Sequence, residues 1–331
     1  MTKRVTVYDI AEKLKISPST VSRVLNNSSL ISNHRSQQIL KTAQEMGYKQ
    51  RNIKKQVTRA ILNIHLFLPL SDTSLTHYLY NIAELIDSIH EGFKGVRLNI
   101  SIRNNDGNME FLSYKKTGQI DGCIFAFIKP NRILSAELKI REIPVVLLNR
   151  KSSHFSCIYY DTNQGMQVLA EKVYERWGKK IRPCFVGFQG LKSLSIERLK
   201  GAQQVFQSHG IPFNEDHLFI VDDLENISTS VPPWIIKNGF NAVLSFNDLV
   251  ALSLLQSLLS RGIRIPEDLA LTGFDNSPIL KLLDRRINTI DLSIPELGHR
   301  AGEWLHSTIM EKKDHPLREI LPVIYVPGDT I

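Results

Sequence analysis

In this 331-residue chain the groups best suited to molecular recognition are the hydroxyls of Ser19, Thr20 and Ser22 and the guanidinium of Arg23, all in one short stretch. Hydroxyls donate to phosphate oxygens, and an arginine can reach both acceptors on the major-groove edge of a guanine. No comparable set exists for making or breaking bonds. The sequence has no G-x-x-x-x-G-K-[ST] phosphate loop, no G-x-G-x-x-G after its first strand-like run, no G-x-S-x-G elbow and no H-E-x-x-H pair, so an enzyme is not expected. The ten histidines are scattered. Cys123, Cys157 and Cys184 lack C-x-x-C spacing and lie in or beside apolar runs, which predicts buried free thiols, no metal site and no cofactor.

The elements that must present Ser19 to Arg23 are legible around them. Thr6 to Leu25, TVYDIAEKLKISPSTVSRVL, reads as helix, turn, helix. Thr6 is the expected N-cap, with Asp9 in the capping-box position, and Ile10, Ala11 and Leu14 form one apolar face. Ser17 caps the second helix and Pro18 suits its first turn. There Val21, Val24 and Leu25 share a face, which leaves the polar residues pointing outward. A third helix is expected from a cap at Ser32, with Ile39, Leu40, Ala43 and Met46 as its buried stripe and Gly47 as its end.

Charge separates this head from the rest. Residues 1–60 hold twelve Lys or Arg against three acids, a net of +9, whereas residues 61–331 hold 29 against 30, a net of −1. A segregated cationic excess is what a polyanion-binding module needs, because each neutralised phosphate releases condensed counterions. The basic stretch Lys49–Arg59, KQRNIKKQVTR, has two readings: a solvated linker, or a helix that orders only on DNA, favoured there by Lys54, Lys55 and Arg59. No run approaches the ~18–20 apolar residues of a membrane span, and the sequence predicts a cytoplasmic protein.

From Ala60 onward strand-like and helical segments alternate. Residues 61–68, 97–102, 121–128 and 143–149 read as buried parallel strands, with crossover helices at 78–92, 108–118 and 133–141. A second series has strands at 181–187, 218–222, 242–246 and 269–274, with helices near 164–177, 196–209, 227–238 and 248–261. Segments 288–292, 295–310 (a helix) and 320–326 then return to the lobes. The expected fold class is a small all-α helix-turn-helix domain followed by a two-lobed α/β core of doubly wound parallel sheets.

These residues resemble the lactose and galactose repressor family of bacterial transcription factors from end to end. SPSTVSRVLN resembles the family's head signature. Asp121-Gly122, Ile143-Pro144-Val145, Arg198-x-x-Gly201, Phe246-Asn247-Asp248, Ile265-Pro266-Glu267-Asp268 and Gly273-Phe274-Asp275 resemble its core motifs, in the same order. The resemblance implies a DNA-binding head over 1–48, a hinge over 49–60, and an effector-binding and dimerisation core over 61–331. Within the core it implies an N-lobe of about 61–160 and 292–320 and a C-lobe of about 161–290 and 321–331.

By position, the resemblance places Ser19 and Thr20 near bases and phosphates and Arg23 at a guanine, while Tyr8, Ser17, Ser22 and Asn26 fix register on the backbone. With Thr6, Lys54 and Val57 these make up the expected DNA-binding set. Val57 stands where relatives carry a leucine wedge for the central minor-groove step, and valine is shorter. The implied effector set is Ser71, His77, Asn149, Tyr160, Lys192, Arg198, Asn247 and Asp275. Arg198 and Asp275 fit opposite sides of vicinal hydroxyls, or alternatively an interlobe salt bridge. Lys192 is a solvated loop lysine or meets a phosphate or carboxylate, and Asn149 replaces an aspartate usual in the family. The expected partners are palindromic operator DNA, a small-molecule effector such as a carbohydrate, and a second copy of the chain. A phosphosugar or nucleobase co-repressor is the alternative effector. A free-standing solute-binding protein would need an export signal and no basic head.

Overall fold

The computed structural model of the protein describes residues 5–25, 33–46, 61–69, 80–106, 109–112, 120–223, 225–311 and 316–331. The chain divides into two compact units, Met1–Arg59 and Ala60–Ile331.

The first unit holds helices α1 (Val7–Leu14), α2 (Pro18–Leu25) and α3 (Asn33–Glu45). Thr6 and Asp9 form a reciprocal capping box: the Asp9 carboxylate accepts from the Thr6 N–H at 2.6 Å, and the Asp9 N–H donates back to the Thr6 hydroxyl. The turn between α1 and α2 is closed by Lys15 at φ 51°, a left-handed residue, with the Ile16 N–H reaching the Ala11 carbonyl at 3.0 Å. This is the paired C-terminal motif usually built on glycine. Ser17 accepts from the Thr20 N–H at 3.2 Å and so caps α2.

Ile10, Ala11, Val21, Val24, Ile39 and Ala43 pack into one core, with Leu14, Leu25 and Met46 at its margin. Leu40 does not join it, being 48% exposed. It lies a full residue rotation, about 100°, from Ile39, whereas 39, 43 and 46 fall on one face. Ser32 and Gly47, the expected ends of the third helix, and the 49–59 stretch lie outside the described residues.

The second unit contains two parallel sheets. The first has the order β11-β5-β4-β3-β1-β2, built from β1 (Leu62–Leu68), β2 (Leu98–Asn104), β3 (Gly122–Ala126), β4 (Val145–Leu148), β5 (Ser156–Tyr160) and β11 (Arg318–Leu321). The second has the order β7-β6-β8-β9, from β6 (Pro183–Phe188), β7 (Leu218–Val221), β8 (Ala242–Ser245) and β9 (Ala270–Thr272). β10 (Thr289–Asp291) and β12 (Ile324–Val326) form an antiparallel pair. The connecting helices are α4 (Ile82–Gly92), α5 (Arg132–Ile140), α6 (Thr162–Trp177), α7 (Lys192–Ser208), α8 (Ile227–Asn238), α9 (Asp248–Leu259) and α10 (Ile294–Met310).

Four expectations need correction. The 97–102 run is not buried: β2 is the sheet's edge and holds only half-buried and exposed residues, Ile102 being 47% exposed. Strand β5 was not expected, because SCIYY is short and follows a polar Ser-rich loop. The 320–326 run is two strands in different sheets, broken at Pro322. Within 108–118 the described residues show only a 3₁₀ turn, Glu110–Leu112; residues 113–119 lie outside them.

Helices α4 and α10 pack closely across Gly92 and Gly302. A Cβ on Gly302 would stand 2.4 Å from the Ile89 carbonyl oxygen and 2.9 Å from the Gly92 Cα. The three cysteines are buried and free. Among the described residues no helix is long and apolar enough to cross a membrane.

Candidate functional site

In each sheet the strand order reverses at one point, between β1 and β3 in the first and between β6 and β8 in the second. Crevices at the carboxyl ends of such strands are where open α/β sheets take ligands. Phe127 follows β3, Asn149 and Arg150 follow β4, Phe246, Asn247 and Asp248 follow β8, and Phe274 and Asp275 follow β9. Backbone strain concentrates there: Phe127, Asn149, Asp275 and Asn276 all have positive φ (65°, 53°, 101° and 51°).

Arg198, from α7, is the centre of this site. Its Nη2 donates to the Asp275 carboxylate at 2.7 Å and its Nη1 donates to the Phe246 carbonyl. Its guanidinium carbon lies 3.7 Å from the Phe274 ring centroid and 4.7 Å from that of Phe246. Both charged side chains are 3% exposed. The negative faces of the two rings attract the cation and shield the pair from water. Burial pushes the Asp275 carboxyl above its ordinary value, against the opposing pull of Arg198 and then Arg150.

Asp248, fully buried at the start of α9, accepts from the Ser277 N–H at 2.6 Å and from the Thr289 hydroxyl at 2.7 Å. Burial first, and the charge of Asp275 second, push its carboxyl up to about 7. Gly273 makes room for it, since a Cβ there would fall 2.1 Å from Asp248 Oδ1. On the opposite wall the Tyr80 ring stacks on Phe127 at 3.8 Å, nearly coplanar. Burial raises the Tyr80 phenol, which stands within electrostatic reach of Asp275, Arg150, Arg198 and Asp248.

The expected residues fall in several places. Arg198 and Asp275 meet directly, Asn247 caps α9 through Val250 N–H at 3.1 Å, and Asn149 is buried with its N–H bonded to the Ile158 carbonyl at 2.8 Å. The Tyr160 hydroxyl donates to the Ser293 carbonyl at 3.1 Å, at the passage between the lobes, and Lys192 is exposed at the start of α7. In the head, Tyr8 is 72% exposed and Ser17 exposed, while the Thr6 hydroxyl donates to Asp9 and Thr20 is half-buried. The side chains of Ser19, Ser22 and Arg23, and residues Asn26, Lys54, Val57, Ser71 and His77 entirely, lie outside the described residues.

The sequence reading missed Tyr80, Phe127, Arg150, Phe246, Phe274 and Asp248 as parts of the site. Three of them sit inside or beside quoted motifs, but ring stacking on a guanidinium is a tertiary event with no spacing signature. Among the described residues no cluster of metal-ligating side chains was found.

Comparison with known proteins accords with this geometry. Residues 6–51 match the model of the bacterial regulatory proteins of the lacI family, and residues 179–331 match that of a periplasmic binding protein-like domain. The HTH-type transcriptional regulator DegA of Bacillus subtilis (strain 168) is 27% identical over 312 residues, 90% of each chain. Among solved structures, a complex of the transcriptional regulator CelR with cellobiose has a TM-score of 0.69 at 18% identity, covering 99% of this chain and 100% of that one. The lac repressor dimer bound to operator and an anti-inducer has a TM-score of 0.65 at 19% identity, covering 99% of each. The chain thus joins a lacI-type helix-turn-helix domain to a core that matches a periplasmic binding protein-like domain, and the curated proteins it is similar to are HTH-type transcriptional regulators.

Proposed function

We propose that this regulator is a homodimeric repressor of carbohydrate-utilisation genes, whose hold on a palindromic operator is set by a sugar bound between the core lobes. The observation that carries the reading is the buried Arg198–Asp275 pair on two aromatic faces at the carboxyl ends of the strands, in a chain with a three-helix DNA-binding head. A carboxylate and a guanidinium side by side, with Asn247 adjoining the Phe246 carbonyl that Arg198 also engages, suit the alternating donors and acceptors of a polyol. The similarity in fold to CelR solved with cellobiose supports a sugar, and that to the lac repressor dimer on operator supports a two-fold assembly.

Two heads related by a two-fold axis read two half-sites, and the cores set their spacing. In this arrangement residues 1–48 are the head, 49–60 the hinge and 61–331 the core. If sugar favours one relation of the lobes and operator another, each weakens the other by the same factor. Arg23 reads a guanine, Ser19 and Thr20 approach bases and phosphates, and Thr6, Tyr8, Ser17, Ser22, Asn26 and Lys54 hold the backbone.

The test is operator affinity of the full chain at fixed salt, with and without a panel of sugars. The expected result is a loss of affinity of at least tenfold with one member. No change with any member rejects the sugar, and a gain instead identifies a co-repressor.

A further inference from the structure

Building on the reading of the cleft as the effector site, we infer that Lys151 and Glu197 form a latch between the lobes, which sets the balance between two relations of one lobe to the other. Lys151 follows β4, in the half of the core built on the first sheet, and Glu197 lies on α7, in the half built on the second. Lys151 Nζ donates to the two Glu197 carboxylate oxygens at 3.3 and 3.4 Å. Other ion pairs stay within one half. Arg198–Asp275 and His209–Glu171 join elements around the second sheet, and Lys94–Glu303 and Arg300–Glu319 join elements around the first.

Each end of the latch is held in its own half. On the first side, Lys151 Nζ stands 5.4 Å from the ring centroid of Tyr159, a residue of β5. On the second, the Thr162 hydroxyl donates to the Glu197 carboxylate at 3.2 Å, and the Asn163 side-chain amide donates to the Glu197 carbonyl at 3.2 Å. Thr162 opens α6 immediately after the chain leaves β5, so the carboxylate is fixed to a strand of chain that joins the halves. A held carboxylate and a ring-backed ammonium lose less side-chain freedom on pairing than two free surface groups do.

Position couples the latch to the cleft. Lys151 is two residues from Asn149, and Glu197 precedes Arg198, which holds Asp275 at 2.7 Å. A molecule that shifts Asn149 relative to Arg198 therefore shifts the latch residues as well. The side chains of Lys151 and Glu197 are 50% and 37% exposed, so the contact can break and re-form without stranding a buried charge. Arg198–Asp275, 3% exposed on both sides, cannot serve in this way, because parting it leaves two charges in the interior. Losing an exposed pair shifts a two-state balance by about 1.5- to 5-fold, and setting like charges there shifts it further.

The experiment measures the distance between the halves by double electron–electron resonance on the full-length protein, spin-labelled at Ile140→Cys on α5 and Lys237→Cys on α8, both exposed positions. The native cysteines are buried, which confines labelling to the new sites. Labelled chain is mixed with excess unlabelled chain so that distances fall within one protomer. Affinity at fixed salt is measured in parallel on a duplex selected by the parent chain from a random pool. Lys151→Glu, which faces Glu197 with a like charge, should change the populations of the distance distribution threefold or more and the affinity by a similar factor. Lys151→Met should fall between it and the parent, and the reversal Lys151→Glu with Glu197→Lys should return both readouts to within twofold of the parent. Thermal melts establish that the variants are folded. Unchanged distances in Lys151→Glu, or a reversal no nearer the parent than Lys151→Glu alone, overturn the latch. Distances that shift and reverse while affinity stays constant uphold the latch and overturn the reading that the lobes govern DNA binding.

Discussion

Arg198 and Asp275, 77 residues apart in the chain, meet at 2.7 Å with both side chains 3% exposed. The pair ties α7 to the loop after β9, and each partner makes the other's burial tolerable. Arg198→Met leaves Asp275 buried without its cation and should cost about 3–5 kcal/mol of stability. Replacing both, Arg198→Met with Asp275→Leu, should recover at least half of the fall in thermal midpoint. A double variant no more stable than the single one would show that the pair is not the source of the loss.

Two buried groups drive stability in opposite directions with pH. His65, on β1, accepts from Arg103 Nε at 2.7 Å, and burial first and Arg103 second lower it from 6.5 to about 4. Between about pH 4 and 6.5 the unfolded chain binds more protons there, so this group's contribution rises with pH, by about 3 kcal/mol in all. Asp248, raised from 3.8 to about 7, binds its proton more tightly in the fold, so its contribution falls with rising pH across about 4 to 7. Asp275 and Asp291, also raised, act in the same sense as Asp248. Thermal midpoints measured at pH 4.5, 5.5 and 6.5 should therefore slope more steeply downward in His65→Gln than in the parent, and more upward in Asp248→Asn. Profiles parallel to the parent's would refute the assignment.

The approach of α4 to α10 leaves no room for a methyl group. Gly302→Ala should lower stability by about 1–3 kcal/mol, because the obstructing atoms, the Ile89 carbonyl and the Gly92 Cα, belong to backbone and cannot rotate away. Gly178→Ala, where an added Cβ meets nothing within 4 Å, tests the strain of a positive φ without crowding. A smaller loss at 302 than at 178 would contradict the packing argument.

In the head, Lys15 occupies the left-handed position that closes α1. Lys15→Gly should relieve about 1 kcal/mol of backbone strain and slow hydrogen exchange of the Ile10–Leu14 amides about fivefold. Unchanged or faster exchange would mean that the lysine side chain makes good the cost of its backbone.

At the hinge the expectation is drawn from the sequence. If residue 57 is the wedge that the resemblance implies, Val57→Leu lengthens it, and operator bending measured by gel mobility of permuted fragments should increase. Equal or smaller bending in the leucine variant would exclude a wedge at 57.

Within the described residues of the head the caps of α1 and α2 and the three-helix core were legible, because capping, turn and apolar spacing are local signals. Leu40 failed since a stripe of four residues was read where the helix turn admits three. The buried strands were legible as apolar runs. β2 was misread because the edge of a parallel sheet differs from its centre only by what lies beside it, and β5 was missed because five residues led by serine carry little pattern. The Arg198–Asp275 pair emerged from motif positions, yet its setting between Phe246 and Phe274 did not, since those rings come from two separate loops.

The chain passes three times between the side of the first sheet and the side that holds the second sheet and the β10–β12 pair: after β5, between β10 and α10, and between β11 and β12. Neither lobe is therefore a single length of polypeptide, and no one cut releases either intact.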